Sequence, residues 1–70
     1  MRQNLKKARL EAGLTQQQLA DKLKVSLRYY KYIEAGQVTG HVELWDELED
    51  LFDIHQRVLR ENHLGKEDNR

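Results

Sequence analysis

Apolar side chains recur every three or four positions along most of this chain, the spacing that places them on one face of a helix. Proline is absent, the glycines fall outside the apolar segments, and no run alternates apolar with polar residues as a strand would. The pattern predicts an all-α, compact five-helix domain over residues 1–62, followed by a frayed polar tail at residues 63–70. The predicted helices span about 2–12, 16–23, 27–35, 42–52 and 56–62.

Three of the predicted helices are preceded by polar residues that can cap them. Thr15 and Gln18 have the T-x-x-Q spacing of a capping box, in which each side chain bonds the backbone N–H of the other residue. Ser26 can cap the third helix with its hydroxyl, and Asp53 and Gln56 repeat the capping-box spacing before the fifth. Two short, hydroxyl-capped helices joined by a tight turn form the unit that fits a helix into the DNA major groove.

The fourth predicted helix combines an apolar stripe with an acidic outer side. We expect Trp45, Leu48, Leu51 and Phe52 to face the core. An alternative hypothesis places Trp45, together with Leu44 and parts of the fifth helix, at the interface of a homodimer. The acidic outer side is most simply a solvated surface.

The net charge is zero, but the two halves of the chain differ. Residues 1–34 hold eight Lys or Arg and three acids, a net charge of +5, whereas residues 35–70 hold four and nine, a net charge of −5. Such asymmetry fits a basic face for phosphates and an acidic face turned away from them. It fits two ordinary solvated surfaces equally well.

Several classes of protein are disfavoured by what the sequence lacks. There is no cysteine, the three histidines do not have metal-ligand spacing, and neither a phosphate-cradling glycine loop nor a nucleophile elbow is present. We therefore expect no enzyme, no cofactor and no small-molecule substrate. No apolar run approaches the roughly 20 residues of a membrane helix, and no signal peptide is visible. We expect a cytoplasmic protein without membrane contact.

A set of residues at fixed spacing runs through the predicted second and third helices and on to the fifth. They are Leu14-Thr15-Gln16, Leu19-Ala20, Leu23, Val25-Ser26, Ile33-Glu34 and Gly36, continued by Val42, Leu48, Phe52, Ile54 and Leu59. Through these residues, positions 2–62 resemble the lambda repressor-like, Cro/XRE class of helix-turn-helix domains. The resemblance implies a sequence-specific, double-stranded DNA-binding transcriptional regulator of bacterial or phage repressor type. It also implies that the helix at about 27–35 enters the major groove as the recognition helix, while the helix at about 16–23 lies across the groove.

The outer side of the third helix is where we expect base contacts. Arg28 can grip guanine O6 and N7 or, equally, a phosphate, and Leu27 offers apolar contact to a thymine methyl. We expect Tyr32 to face DNA. For Tyr29, a backbone contact and partial packing in the core are both open.

Contacts to the DNA backbone are expected at the start of the second helix and around the third. The resemblance assigns Gln16 to a phosphate, helped by the positive end of its helix, with Gln17 as a solvated or phosphate-side neighbour. Lys6, Lys31 and Thr39 are further candidates, each with an exposed, unbound alternative. The expected DNA-binding residues are Gln16, Gln17, Ser26, Leu27, Arg28, Tyr29, Lys31, Tyr32 and Thr39.

The resemblance also implies one structural pair and exposes two departures from the family pattern. Arg9 and Glu34 match positions that form a partly buried ion pair between the first and third helices. Lys24 occupies a turn position that usually holds glycine, so it must accept a left-handed conformation or relax the turn. Gly40 stands where many relatives have proline, and we expect a more mobile loop there.

Three further hypotheses remain at this point. Dimers suit this class, because two copies can contact half-sites about one helical turn apart, so a homodimer is compatible with the sequence. An antitoxin or an excision-control regulator would have the same fold. A protein-interaction module would instead use the acidic fourth helix to bind a partner.

Overall fold

The computed structural model describes residues 1–62, which form five α-helices and no strand. This confirms the all-α, five-helix fold, while the frayed tail expected at residues 63–70 lies outside the described residues. The Cα radius of gyration is 11.5 Å. The helices are α1 (Gln3–Glu11), α2 (Gln16–Leu23), α3 (Leu27–Ala35), α4 (Val42–Phe52) and α5 (Gln56–Arg60).

Of the three helix caps predicted from the sequence, those of α2 and α3 are present in the structure and that of α5 is not. The capping box of α2 is present, with Gln18 N donating to Thr15 Oγ1 at 3.0 Å and Thr15 N to Gln18 Oε1 at 2.9 Å. Ser26 Oγ accepts from Tyr29 N at 3.0 Å and caps α3.

The capping box expected from Asp53 and Gln56 is wrong. Asp53 is left-handed, with φ of 55°, and its N–H bonds Glu49 O at 2.8 Å, so it ends α4 instead of starting α5. His55 caps α5, with Nδ1 accepting from Arg57 N at 3.0 Å. The Gln56 amide donates to Asp46 and Glu49, and therefore joins α5 to α4.

The α4 stripe is rotated from the predicted one. Leu44, Trp45 and Leu48 are buried, whereas Leu51 is 42% exposed and lies beside Lys22 of α2. Leu51 was therefore wrongly expected in the core, because the buried stripe of α4 runs through positions 44, 45 and 48 and leaves position 51 at its edge. Since Leu44 and Trp45 are each 1% exposed, the homodimer interface suggested for them is also wrong.

One core is shared by all five helices. Leu59 returns α5 to this core, and Ile54 packs against its margin, as the sequence indicated. The fully or nearly buried apolar residues are Leu5, Ala8, Leu19, Ala20, Leu23, Tyr30, Ile33, Leu44, Trp45, Leu48 and Leu59.

Arg2, one of the eight cations counted in residues 1–34, is buried and structural. Its Nη1 donates to Ile33 O at 2.6 Å and Val38 O at 2.8 Å, and its Nε to Arg60 O at 3.0 Å. The guanidinium carbon lies 5.1 Å from the centre of the Trp45 ring, within the range of a cation–π contact. Burial, and after it the charge of Arg60, lowers the pKa of Arg2. Arg2 thus joins the end of α3 to the following loop and to α5.

The turn between α2 and α3 places Lys24 in the left-handed region, with φ of 60° and ψ of 40°. Lys24 N donates to Asp21 O and Val25 N to Ala20 O, the paired bonds that close a helix at a left-handed residue. The lysine therefore accepts the conformation that glycine usually supplies, and the turn is not relaxed.

Gly40, in the loop before α4, has φ of +83°, a conformation closed to proline. A Cβ at this position would lie 2.8 Å from Cδ1 of Ile33, so the backbone needs glycine to approach the core. The neighbouring carbonyls of Val38 and Thr39 accept bonds from Arg2 and from Trp45 Nε1. These contacts oppose the mobility that we expected of this loop.

Replacing Lys24 by glycine will raise the free energy of unfolding by about 1 kcal/mol, because a left-handed conformation strains an L side chain and not glycine. Lys22→Gly, inside α2, is the matched control and will lower the free energy of unfolding by about 1 kcal/mol. Urea unfolding measures both changes. A Lys24→Gly protein that is less stable than the parent would contradict the left-handed turn.

Candidate nucleic-acid interface

Helix α3 has one buried and one exposed side. Tyr30 and Ile33 are fully buried and Glu34 is 2% exposed, which fixes the inner side against the core. On the other side, Arg28 and Lys31 are exposed and Tyr32 is 43% exposed. We call this side the outer face of α3; it is a shallow depression lined by Leu27, Arg28, Lys31 and Tyr32.

The ion pair between Arg9 and Glu34 is present and buried. Arg9 Nε donates to Glu34 Oε2 at 2.8 Å and Nη2 to Oε1 at 3.3 Å, and the two side chains are 9% and 2% exposed. The remaining Arg9 nitrogen, Nη1, donates to Leu14 O at 2.8 Å. One guanidinium therefore links α1, the segment before α2, and the inner side of α3.

Two further donors, neither assigned by the sequence, complete the shell around the Glu34 carboxylate. The Tyr30 hydroxyl donates to Oε2 at 2.7 Å, and Gln16 Nε2 donates to Oε1 at 2.9 Å. Tyr30 is one helical turn before Glu34, so that bond has a local signal in the i, i+4 spacing. The bond from Gln16 joins residues 18 apart and has no signal of this kind.

The protonation of this cluster follows from its contacts. Burial would raise the pKa of Glu34, but hydrogen bonds from Arg9, Tyr30 and Gln16 outweigh burial and lower it. The bond to Glu34 raises the pKa of Arg9 against the opposing effect of burial. Burial, followed by the bond to the Glu34 carboxylate, raises the pKa of Tyr30. The cluster is thus a charged arginine–glutamate pair with a neutral tyrosine and a neutral amide.

Gln16 lies at the first position of α2, half-buried, with one amide hydrogen committed to Glu34. An amide nitrogen carries two hydrogens, so one donor is left to bind an acceptor outside the protein. Gln17, beside it, is exposed and donates to Asp21 Oδ1 at 2.9 Å. Gln16 therefore joins the hydrogen bonds around the Glu34 carboxylate, whereas the Gln17 side chain stays on the surface.

The other expected DNA-binding residues occupy the margins of α3. Tyr29 is half-buried against the core, and its ring stacks on His41 with centroids 6.2 Å apart and planes at 18°. Thr39 is exposed, although its carbonyl is held by Trp45. The Ser26 hydroxyl is exposed and already engaged as the helix cap. His41 was not among the expected residues, because its contact with Tyr29 is not visible in local sequence.

The end of α3 is closed by bonds from its own turn and from α1. Gln37 N donates to Tyr32 O at 2.9 Å and Gly36 N to Ile33 O at 3.1 Å, with Gly36 in the left-handed conformation. The backbone N–H of Arg2 donates to Glu34 O at 2.9 Å. Ser26 caps the first turn of α3, and the last turn is tied to its own closing turn and to α1, so the helix is a firm support for its outer face.

Other kinds of site find little support in the part of the chain that the structure describes. Within residues 1–62, no three His, Asp or Glu side chains are grouped as a metal ion requires. No helix there is long and apolar enough to cross a membrane.

Helices α2 and α3 are short, capped and joined by a tight turn, and α3 is buried on one side and exposed on the other. This arrangement defines a helix-turn-helix DNA-binding domain. A family model described as helix-turn-helix matches residues 5–55, and the chain belongs to this Cro/C1-type family. A search of curated proteins and a search of solved structures each found no match.

Membership of this family assigns the chain to a functional class. Domains of the family bind double-stranded DNA, and the chain is a DNA-binding helix-turn-helix regulator. The family is a regulatory one and not typically enzymatic.

Truncating Glu34 will test the buried network. Glu34→Ala will lower the free energy of unfolding by about 3 kcal/mol or more, because it leaves the Arg9 charge buried without its partner. DNA affinity will fall with it, because α3 loses its attachment to α1 and α2. Glu43→Ala removes an exposed acid of α4 and is the matched control, with a change within about 0.5 kcal/mol. Thermal and urea unfolding measure both variants, and unchanged stability of Glu34→Ala would refute the pairing.

Proposed function

We propose that this chain is a sequence-specific transcriptional regulator of bacterial or phage repressor type, which acts by occupying an operator. Helix α3 lies in the major groove, and α2 lies across it with its N-terminus against a phosphate. The observation that carries this proposal is the outer face of α3, where Arg28 and Tyr32 stay exposed while Tyr30, Ile33 and Glu34 hold the opposite side.

Arg28 is the strongest candidate for base recognition. It lies in the first turn of α3, where a recognition helix reaches base edges, and no other described side chain hydrogen-bonds its guanidinium. A guanidinium can bind guanine O6 and N7 with two bonds. Leu27, beside it, offers a thymine methyl an apolar contact. Lys31 and Tyr32, one turn further along, are placed for phosphate and sugar contacts.

Gln16 is proposed as the phosphate contact of α2. Its remaining amide hydrogen and the free backbone N–H groups of the first turn of α2 are donors that suit an anion. The nearby Glu34 carboxylate would repel a phosphate if it were unpaired, but Arg9 neutralises it at 2.8 Å. Gln17 and Thr39 are exposed neighbours that extend the same backbone contact, and Ser26 adds its hydroxyl at the start of α3.

We propose that the chain binds a palindromic operator as a homodimer, because two domains can then contact half-sites about one helical turn apart. Leu44 and Trp45 are buried and take no part in it. The exposed apolar side chains that remain for such an interface include Leu51 of α4 and Val58 of α5.

Selection of bound duplexes from a random pool tests the proposed function. We expect one enriched motif, repeated at a spacing of about one helical turn, with affinity that falls steeply as salt rises because neutralised phosphates release counterions. A protein-interaction module would bind no duplex even at low salt. Binding without sequence enrichment would contradict the operator-specific role.

Substitutions in α3 and α2 will have different signatures on the selected duplex. Arg28→Ala will cost about 1–3 kcal/mol and relax preference at one base pair, because the bidentate contact is lost. Gln16→Ala will cost about 1 kcal/mol on every sequence alike. Arg57→Ala, at an exposed arginine of α5, is the matched control for charge and will leave base preference unchanged. Equal losses on all sequences for Arg28→Ala would make Arg28 a backbone contact.

A further inference from the structure

An aromatic pair lies at the margin of the outer face of α3. The His41 ring stacks on the ring of Tyr29, and the Tyr29 hydroxyl lies 3.4 Å from His41 Nδ1. Tyr29 lies about 100° around α3 from Arg28 and is half-buried against the core, so the pair flanks the outer face at its boundary with the core. Both His41 and the Tyr29–His41 contact are exposed to solvent.

The backbone holds His41 in this place. The preceding loop is tied through the carbonyls of Val38 and Thr39, and Gly40 packs closely against Ile33. The His41 side chain does not cap α4, and among residues 1–62 it forms no ion pair. Its described polar contact is the one with Tyr29, so the rest of the ring is available to a ligand.

The charged groups around the pair leave the protonated ring without a salt bridge of its own. On α3, which supplies Tyr29, the exposed charges are Arg28 and Lys31. On α4, Glu43 is the acid of the first turn. A phosphate at this position would supply the anion that a protonated His41 lacks within the domain.

Protonation also changes the direction of the hydrogen bond. When Nδ1 carries no proton, the Tyr29 hydroxyl donates to it. When the ring has taken a proton from solvent and both nitrogens are donors, Nδ1–H donates to the hydroxyl oxygen. The hydroxyl hydrogen is then free to donate to an acceptor outside the protein.

We propose that His41 and Tyr29 form a phosphate contact that is switched on by protonation of His41, so that DNA affinity rises as the pH falls. This inference rests on the proposed function and deepens it. It adds a pH response to the domain through one imidazole and the adjacent hydroxyl.

Affinity for the selected duplex, measured by fluorescence anisotropy between about pH 8 and about pH 5, tests the proposal. We expect affinity to rise about two- to fivefold on acidification, the range of one exposed charge pair, and the log–log salt slope to steepen by about 0.9. His41→Gln will abolish both changes. Tyr29→Phe keeps the stacked ring and will retain only part of the gain.

His55→Gln is the control for an exposed histidine away from α3; because His55 also caps α5, the fold of this variant is checked separately. It will keep the full pH response, and circular dichroism at each pH will show that the variants stay folded. A pH response that survives in His41→Gln, or is absent from the parent protein, overturns the assignment and leaves the proposed function standing. Absence of duplex binding at every pH and at low salt overturns both.

Discussion

The structure depends on the carboxylate of Glu34, a charge buried on the inner side of α3, the helix that we propose for the major groove. A buried carboxylate is costly unless it is paired and its oxygens are bonded, so its partners must arrive in fixed positions. They come from α1 (Arg9), from α2 (Gln16) and from α3 itself (Tyr30). Their geometry sets the rotation of α3 about its own axis, and therefore which side chains form its outer face.

The hydrogen bonds around Glu34 stabilise the domain and also orient residues that we propose for DNA contact. The Gln16 amide donates one hydrogen to Glu34, so the phosphate contact that we propose for its second hydrogen is positioned by the residue that orients α3. Arg2 holds the same last turn of α3, where it binds the carbonyl of Ile33, and ties it to the carbonyls of Val38 and Arg60. An α3 capped at its start by Ser26 and held in its last turn by these contacts suits base recognition, because donors placed before the DNA arrives lose less freedom on binding.

Much of the fold was predictable because its signals are local. The capping box at Thr15, the cap at Ser26 and the periodic apolar positions depend on residues a few positions apart, and the helix-turn-helix unit follows from them. The buried side of α4 was not predictable from the sequence alone. Leu51 and Leu44 both fit an amphipathic helix, and only packing against the other helices decides which is buried. Asp53 had the spacing of a cap, but its left-handed backbone closes the preceding helix instead.

The site was predictable only where the family pattern covered it. The ion pair of Arg9 with Glu34 came from the resemblance, whereas the contacts of Arg2, Gln16 and His41 join distant parts of the chain and depend on how the helices pack. No periodicity or spacing in one sequence reports such contacts. Gly40 is a further case, since the need for glycine comes from the nearness of Ile33 and not from its neighbours in sequence.

The structure also changes what the charge pattern means for binding. Of the eight cations in residues 1–34, Arg2 is buried and Arg9 is cancelled by Glu34, which leaves six exposed cations against the exposed acids Glu11 and Asp21. The basic half thus keeps a surface charge of about +4, enough for phosphate attraction but small beside the −5 of the other half. In the proposed complex these exposed cations supply the attraction to phosphates, and the side chains that α3 presents in a fixed orientation supply the choice of sequence.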